Sequence, residues 1–430
     1  MSSPDPLHSL LVALPVVILS CRAGAGLFRR IGQPPVVGEI AVGVLLGPSL
    51  LGWLWPSAQQ WLFPESALPF LDALGNLGLL AFMFLVGLEL DPTALRGNSR
   101  AAVAISQTSI VLPMALGVLL ALGMYGALAP DGVDRLPFAL FIAVSMSITA
   151  FPVLARILVD RDEYRTPMGA LAMTCAAVDD VTAWCLLAGV VAVATSGSPA
   201  GALVTAASAV VFLLLMLCVV RPLLARWAKR AGRSPDSVVL VALFSALCVS
   251  ALITEEIGVH ALFGAFLLGT VTPRGCPAIE RSAGRMRAFV MPVLLPLFFV
   301  VNGLRTDLSL LVREPTLWLW FLAVLGVAVL GKWGGGAGAA RLAGRPWRDA
   351  MSIGALMNCR GLTELVVLNI GLGLGVIGPD LFTVLVLMAL VTTTMTTPAL
   401  LWLRRSSPTP VTSGPTGPTS VDDRRTSIGS

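Results

Sequence analysis

Along most of the chain, charged and polar residues are confined to short breaks between long apolar runs. A helix needs about 20 mostly apolar residues to cross the hydrocarbon core of a bilayer. Taken between charged or Gly/Pro-rich breaks, the runs predict thirteen membrane-spanning helices. They lie near residues 7–22, 34–52, 67–89, 101–125, 136–158, 167–195, 199–220, 237–254, 257–272, 287–303, 315–340, 348–374 and 380–403. Internal proline is expected to break two of them, Pro152 in the fifth and Pro292 and Pro296 in the tenth. No basic segment precedes the first run, so it is expected to be a retained span rather than a cleaved signal.

Composition sharpens this picture. Of 430 residues, 56% are apolar and 12% charged, and the mean hydropathy is +0.86. A soluble domain carries about 25% charged residues, so an all-α, multi-pass protein whose first partner is the lipid bilayer is expected. Disorder, a disulfide scaffold and a coiled coil are excluded by the same numbers. The net charge of +5 is spread over many short loops without an aromatic-interleaved basic patch, so no nucleic-acid partner is expected. The seven cysteines form no CxxC pair and read as small buried apolar residues.

The basic residues orient the chain. With the N-terminus outside and thirteen spans, 24 of the 29 basic residues fall in inside loops and only Arg135, Arg305 and Arg313 fall outside. That bias predicts an N-out, C-in protein of the cell membrane. Lys332 and Arg360 fall within spans. The segment 404–430, rich in Ser, Thr, Pro and Gly, is expected to be a disordered cytoplasmic tail too short for a regulatory domain, which leaves 1–403 as one transmembrane unit.

An internal repeat is visible. Gly87, Leu88 and Asp91 match Gly303, Leu304 and Asp307 at an offset of 216, and Leu45-Leu46-Gly47 matches Leu267-Leu268-Gly269 at 222. In the topology above the third span ends inside and the tenth outside. The halves, about 7–195 and 237–403 with 199–220 as linker helix, therefore read as inverted repeats, an arrangement typical of secondary transporters. The alternative is chance matching of short apolar strings. The fifth and twelfth spans become repeat partners, and both carry residues that disfavour a plain helix: Thr149 and Pro152 in one, Asn358 and Gly361 in the other.

Ionisable residues inside spans mark ion pathways. Asp179 and Asp180 lie in AAVDDVTAW, about 20 Å along the sixth helix from its cytoplasmic end at 1.5 Å per residue. Two adjacent carboxylates at that depth can hold a proton and exchange it for a small hard cation, which prefers oxygen ligands. The bland alternative is a structural pair neutralised by arginine or capping a helix end. Lys332 either pairs with Asp179, releases its own proton when a cation arrives, or snorkels to the inner surface. Arg360 and Glu364, spaced i,i+4, read as an ion pair that organises the broken twelfth span. Glu39 either caps a helix or lines the cytoplasmic funnel. His260 reads as a hydrogen-bonded packing residue within an apolar span, and Glu255 and Glu256 as solvated.

Seven stretches carry a resemblance: PPVVGEIAVGVLLGPSLLG, LGLLAFMFLVGLELD, SITAFPVLARIL, AAVDDVTAW, HALFGAFLLGTVTPR, LPLFFVVNGLRTDL and MNCRGLTELVVLNIG. Their order over residues 34–371 resembles the monovalent cation:proton antiporter-2 family, with its sodium/proton, Kef-type potassium and plant CHX members. The last two stretches look closest to the CHX and fungal branch. The resemblance implies the sodium/proton antiporter fold: two inverted six-helix repeats, a dimerisation domain, and a mobile core where the fifth and twelfth spans cross at unwound centres. It also implies a homodimer, Asp180 as the cation and proton carboxylate, Asp179 as its partner, and Lys332 as the lysine bridging to Asp179. Ser147 and Thr149, near the unwound stretch, are the implied additional oxygen ligands. Two departures stand out: the tail lacks room for the nucleotide-binding domain usual in Kef systems, and CHX relatives usually have Asn-Asp where this chain has Asp179-Asp180.

The expected function is secondary antiport of a monovalent cation, Na+ or K+, against H+ by alternating access, contributing to pH homeostasis and using no cofactor. An uncoupled channel or leak is the alternative, but no repeated filter motif is present. An intramembrane enzyme is not expected: HExxH and GxSxG are missing, and an aspartyl protease would place its aspartates on separate helices.

Overall fold

A computed structural model describes residues 6–89, 99–160, 163, 166–196, 199–231, 235–258 and 260–405. Every regular element among them is helical. Ten described helices are long and apolar enough to cross a membrane, and three shorter apolar helices, Arg135–Ser147, Ala261–Val271 and Thr363–Gly373, stand at the fifth, ninth and twelfth positions. Large apolar side chains face outward at helical spacing, as Leu7 and Leu11 do on the first span and Leu119 and Leu122 on the fourth, which is what lipid rather than water solvates. The expected tail from residue 406 lies outside the described residues, as does Asp91 of the repeat.

Several expectations need correction. The first helix runs to Arg30, so Arg22 sits on it rather than in a loop. The tenth span begins at Pro277 and is not broken by its prolines. Pro292 lies in a π-helical turn, Val290–Leu294, and Pro296 in the first turn of Leu295–Leu304, where widened or terminal hydrogen bonding tolerates a missing N–H. In the fifth span Pro152 likewise follows the break, in the first turn of Phe151–Asp160. All seven cysteines are free, but Cys185, Cys218 and Cys248 are exposed on apolar helix faces rather than buried.

The repeat takes physical form in glycine contacts. A Cβ on Gly87 of the third span would meet the ninth span at Phe266 O (2.2 Å) and Gly269 Cα (3.1 Å). A Cβ on Gly47 would meet the tenth span at Gly303 O (2.9 Å). The contact Gly87–Gly269 thus maps onto Gly303–Gly47 when each residue is exchanged for its repeat partner, as a two-fold relating the halves requires. Spans one to three pack with eight to ten, and spans four to six with eleven to thirteen. Two cavities border both groups. One of about 590 Å³ is lined by Arg22, Arg29, Glu39, Arg287 and, from the second group, Val153. The other, of about 520 Å³, is lined by Asp72, Glu255, His260, Arg305 and, from the second group, Asn369.

Candidate cation site

The site is built where two helices stop. The first half of the fifth span ends at Ser147, Ile148 is extended, and the helix resumes at Phe151. The twelfth span ends at Met357 and resumes at Leu362, with Asn358 and Gly361 as its caps. The two breaks meet: the Ala150 N–H donates to the Cys359 carbonyl at 2.9 Å. Gly361 allows this approach, since a Cβ there would lie 2.8 Å from Val153 Cγ2.

Backbone groups freed in a bilayer must find partners within the protein, and Arg360 supplies many of them. Its guanidinium donates to the carbonyls of Ser145 (2.7 Å) and Met146 (2.6 Å), at the C-terminal end of the fifth span's first half. It also pairs with Glu364 at 2.9 Å, and Ser145 Oγ donates to Glu364 at 2.6 Å. The expected pair therefore forms, although the helix between its members is not intact. Its positive charge caps a helix C-terminus, where cations are favoured. Thr393 of the last span accepts the Arg360 N–H at 3.0 Å.

Asp179 is fully enclosed and heavily ligated. Ser106 Oγ donates to Oδ1 at 2.5 Å, Ser109 Oγ to Oδ2 at 3.1 Å and Thr149 Oγ1 to Oδ2 at 2.7 Å. Lys332 Nζ lies 2.8 Å from Oδ2 and 2.6 Å from Thr149 Oγ1, with both charged side chains 0% exposed. Of the three fates open to Lys332, the structure contains the pair with Asp179, and full burial removes snorkelling. Lys332 reaches this depth from a π-helical turn, Leu330–Gly334. The eleventh helix comes close to the fourth because Gly331 has no Cβ, which would sit 2.8 Å from Pro113 Cα.

Asp180 is different. It is 1% exposed, and the N–H of Phe151 at the start of the resumed fifth helix faces it. Its Oδ1 has no hydrogen-bond partner. One aspartate thus has three hydroxyls and a lysine, while its neighbour keeps a bare buried oxygen beside a helix N-terminus, the end that favours anions.

The remaining expectations divide. Thr149 is in the cluster, but the Ser147 hydroxyl donates to Val144 O of its own helix at 2.7 Å and makes no bond to either aspartate among the described contacts. Glu39 is not a cap: the N-cap of its helix is Pro34, without a side-chain bond, and Glu39 lines the larger cavity. His260 is no mid-span packing residue; it is the N-cap of Ala261–Val271, accepting from Leu262 N, and it lines the smaller cavity. Glu255 is exposed but accepts from the Ala261 N–H at 2.9 Å. Sequence reasoning missed Ser106, Ser109, Ser145 and Thr393. The spacing of Ser106 and Ser109, i,i+3 in an apolar span, was a usable signal, since it puts two hydroxyls on one helix face.

Comparison with known proteins places the chain in a family and a fold. The family model described as "Sodium/hydrogen exchanger, transmembrane" matches residues 16–403. The chain is 42% identical over 393 residues to the Na(+)/H(+) antiporter NhaS4 of Synechocystis, covering 90% of this chain and 96% of the relative. It is 34% identical over 407 residues to K(+)/H(+) antiporter 1 of Saccharomyces cerevisiae, covering 92% of this chain and 46% of the relative. Cation/H(+) antiporter 19 of Arabidopsis thaliana is 38% identical over 397 residues, or 91% of this chain and 49% of the relative. The chain thus spans about half the length of these yeast and plant relatives. The solved structure of the sodium proton antiporter MjNhaP1 from Methanocaldococcus jannaschii superposes with a TM-score of 0.63 at 14% identity, covering 92% of this chain and 96% of that one. At that identity the likeness shows a shared fold.

Proposed function

The chain belongs to the sodium/hydrogen exchanger family, and from that premise we propose that it is a secondary antiporter exchanging a monovalent cation, Na+ or K+, for H+ by alternating access. The observation that carries the site assignment is the asymmetry of the aspartates. Asp179 is neutralised by Lys332 and hydrogen-bonded by three hydroxyls, so it stays fixed while Asp180 changes occupant. Asp180, with its bare oxygen, takes a proton or a cation in turn. Competition for one carboxylate couples the two fluxes, because neither ion crosses without displacing the other. A bare carboxylate is costly in hydrocarbon, so the core carries Asp180 across only when it is neutralised.

The moving body in this reading is spans four to six with eleven to thirteen, which hold Asp179, Asp180, Lys332, Arg360 and Glu364. Two side-chain ties join it to the other body on the side of the smaller cavity. Asn369 accepts from Arg305 at 2.8 Å and donates to Asn302. Within its own body Arg305 also pairs with the half-buried Asp72 at 3.2 Å. Sliding of one body past the other has to break the bonds of Asn369 to Arg305 and Asn302, while Glu39 is the carboxylate of the larger cavity, beside Arg22, Arg29 and Arg287.

The orientation follows the same reading. Arg22, Arg29 and Arg287 line one cavity and Arg305 the other, the sorting expected of an N-out, C-in protein of the cell membrane with the larger cavity facing the cytoplasm. Repeats over about 7–195 and 237–403 with the linker helix 199–220, and a homodimer, complete the proposal on the strength of the resemblance.

The test is proton-gradient dequenching in everted vesicles lacking native antiporters, with Na+, K+ and Li+ added from pH 6.5 to 8.5. Wild type should dissipate the gradient in a cation-dependent way, and Asp180→Asn should not. Equal dequenching by the two proteins would sink the assignment of Asp180.

A further inference from the structure

We propose that Asn358 is a cation ligand of the Asp180 site, its amide oxygen sitting beside the carboxylate and helping to set which monovalent cation is preferred. The inference deepens the antiporter proposal and rests on it. Asn358 is 0% exposed, and neither its Oδ1 nor its Nδ2 has a hydrogen-bond partner. Burying an amide with neither end partnered is costly, and such groups in native proteins mark function or an unrecorded partner.

Its position says which partner. Asn358 lies between two residues that bind the broken stretch of the fifth span. The Met357 carbonyl lies 3.0 Å from Thr149 Oγ1, and the Cys359 carbonyl accepts from Ala150 N–H at 2.9 Å. The same stretch reaches both aspartates, Thr149 through its bond to Asp179 and Phe151 through its N–H facing Asp180. Successive Cα atoms are about 3.8 Å apart, so Asn358 is one residue step and one hydrogen bond from Thr149, which contacts Asp179, and one residue further from Phe151, which faces Asp180. Two residues with buried oxygens lacking a partner, Asp180 and Asn358, are thus both tied to the same break in the fifth span.

The chemistry fits a monovalent cation. Alkali cations are hard and take oxygen ligands, and unwound helices in transporters commonly present such oxygens. A carboxylate supplies the charge, whereas an amide adds an oxygen without adding charge, so it changes which ion fits without changing how many protons exchange. Arg360 and Lys332 pair with Glu364 and Asp179, and neither donates to the Asn358 amide, although Arg360 Nε is itself without a partner.

The experiment uses the full-length protein reconstituted in liposomes, with Na+ and K+ titrated separately and cation-induced thermal stabilisation measured in parallel. Wild type is compared with Asn358→Ala and with Asn358→Ser, which keeps an oxygen. The half-saturating concentration of the preferred cation should rise about tenfold in Asn358→Ala and less in Asn358→Ser. The ratio of Na+ to K+ half-saturation should shift, with the loss read in half-saturation more than in maximal rate. Unchanged half-saturation and selectivity, or a fall in maximal rate alone, would overturn the proposal in favour of a structural asparagine. If Asn358→Ala does not yield folded protein, Asn358→Ser decides on the same criteria. Thermal stabilisation separates the two levels of inference. A wild type that binds cation without exchanging it overturns antiport, and the binding curves of the variants still decide the role of Asn358.

Discussion

Replacing Lys332 with methionine separates the fixed charge pair from the exchanging carboxylate. Methionine keeps most of the buried aliphatic volume and removes the ammonium that lies 2.8 Å from Asp179 Oδ2, where both side chains are 0% exposed. Asp179 would then rely on Ser106, Ser109 and Thr149. Those hydroxyls supply hydrogen bonds but no counter-charge. Removing one partner of a buried pair costs about 3–5 kcal/mol, so the apparent unfolding temperature should fall by on the order of 5 °C or more. Adding Asp179→Asn to the same protein removes the uncompensated charge and leaves an oxygen for the three hydroxyls. The double variant should recover at least about half the loss of Lys332→Met, roughly 2 kcal/mol. Thermal unfolding of the four proteins of this cycle in detergent at pH 7.5 measures it. A single variant as stable as wild type, or a double variant no better than Lys332→Met, would refute the account of how Asp179 is held.

The helix contacts and the broken-helix scaffold give further expectations. Gly303→Val places a Cβ 2.2 Å from the Gly43 carbonyl carbon, with backbone on both sides, and should abolish monodisperse protein on size-exclusion chromatography, whereas Gly123→Ala, whose Cβ meets nothing within 4 Å, should behave as wild type. Arg360→Lys cannot reproduce a fork that holds Ser145 O, Met146 O and Glu364 together. It should lose about 1.5–3 kcal/mol for each charged hydrogen bond left unmade, read as a lower unfolding temperature. Arg305→Ala removes an exposed tie worth about 0–1 kcal/mol and should leave stability unchanged. In a background without native cysteines, however, it should speed modification of a cysteine placed at the buried cavity-lining Val366 by a membrane-impermeant thiol reagent; equal rates would show that the Arg305 tie does not restrain the two bodies.

The architecture was legible in this sequence because membrane constraints are one-dimensional. Run length and the Gly87/Gly303 and Gly47/Gly269 repeats each left a linear trace, and the glycine contacts return the repeat in three dimensions. Thr149, Asn358 and Gly361 marked the helix breaks because a bilayer leaves few other uses for such residues in a span. What stayed hidden depends on which way a side chain turns. Ser147 and Ser145 are two residues apart on one half-helix, yet Ser145 meets Glu364 and Ser147 bonds back to its own turn. Pro292 and Pro296 read as breaks because sequence does not reveal a π-helical turn that absorbs them. Arg22 was assigned to a loop because a charge ends an apolar run on paper, while the helix continues for two more turns to Arg30. Ser106 and Ser109 lie on a different span from the aspartates, so their role appears only once the fourth and sixth helices are packed together.

The most direct test of the central claim is whether a proton gradient alone drives cation accumulation through Asp180. Purified protein in liposomes made acidic inside would be given radiolabelled Na+ or the K+ analogue Rb+ outside, with the membrane potential clamped. Wild type should concentrate at least one of these cations against its own gradient and stop when the pH difference is collapsed, and Asp180→Asn should show only background leak. Uptake that merely equilibrates and ignores the pH difference, or that survives in Asp180→Asn, would contradict coupled exchange at this carboxylate.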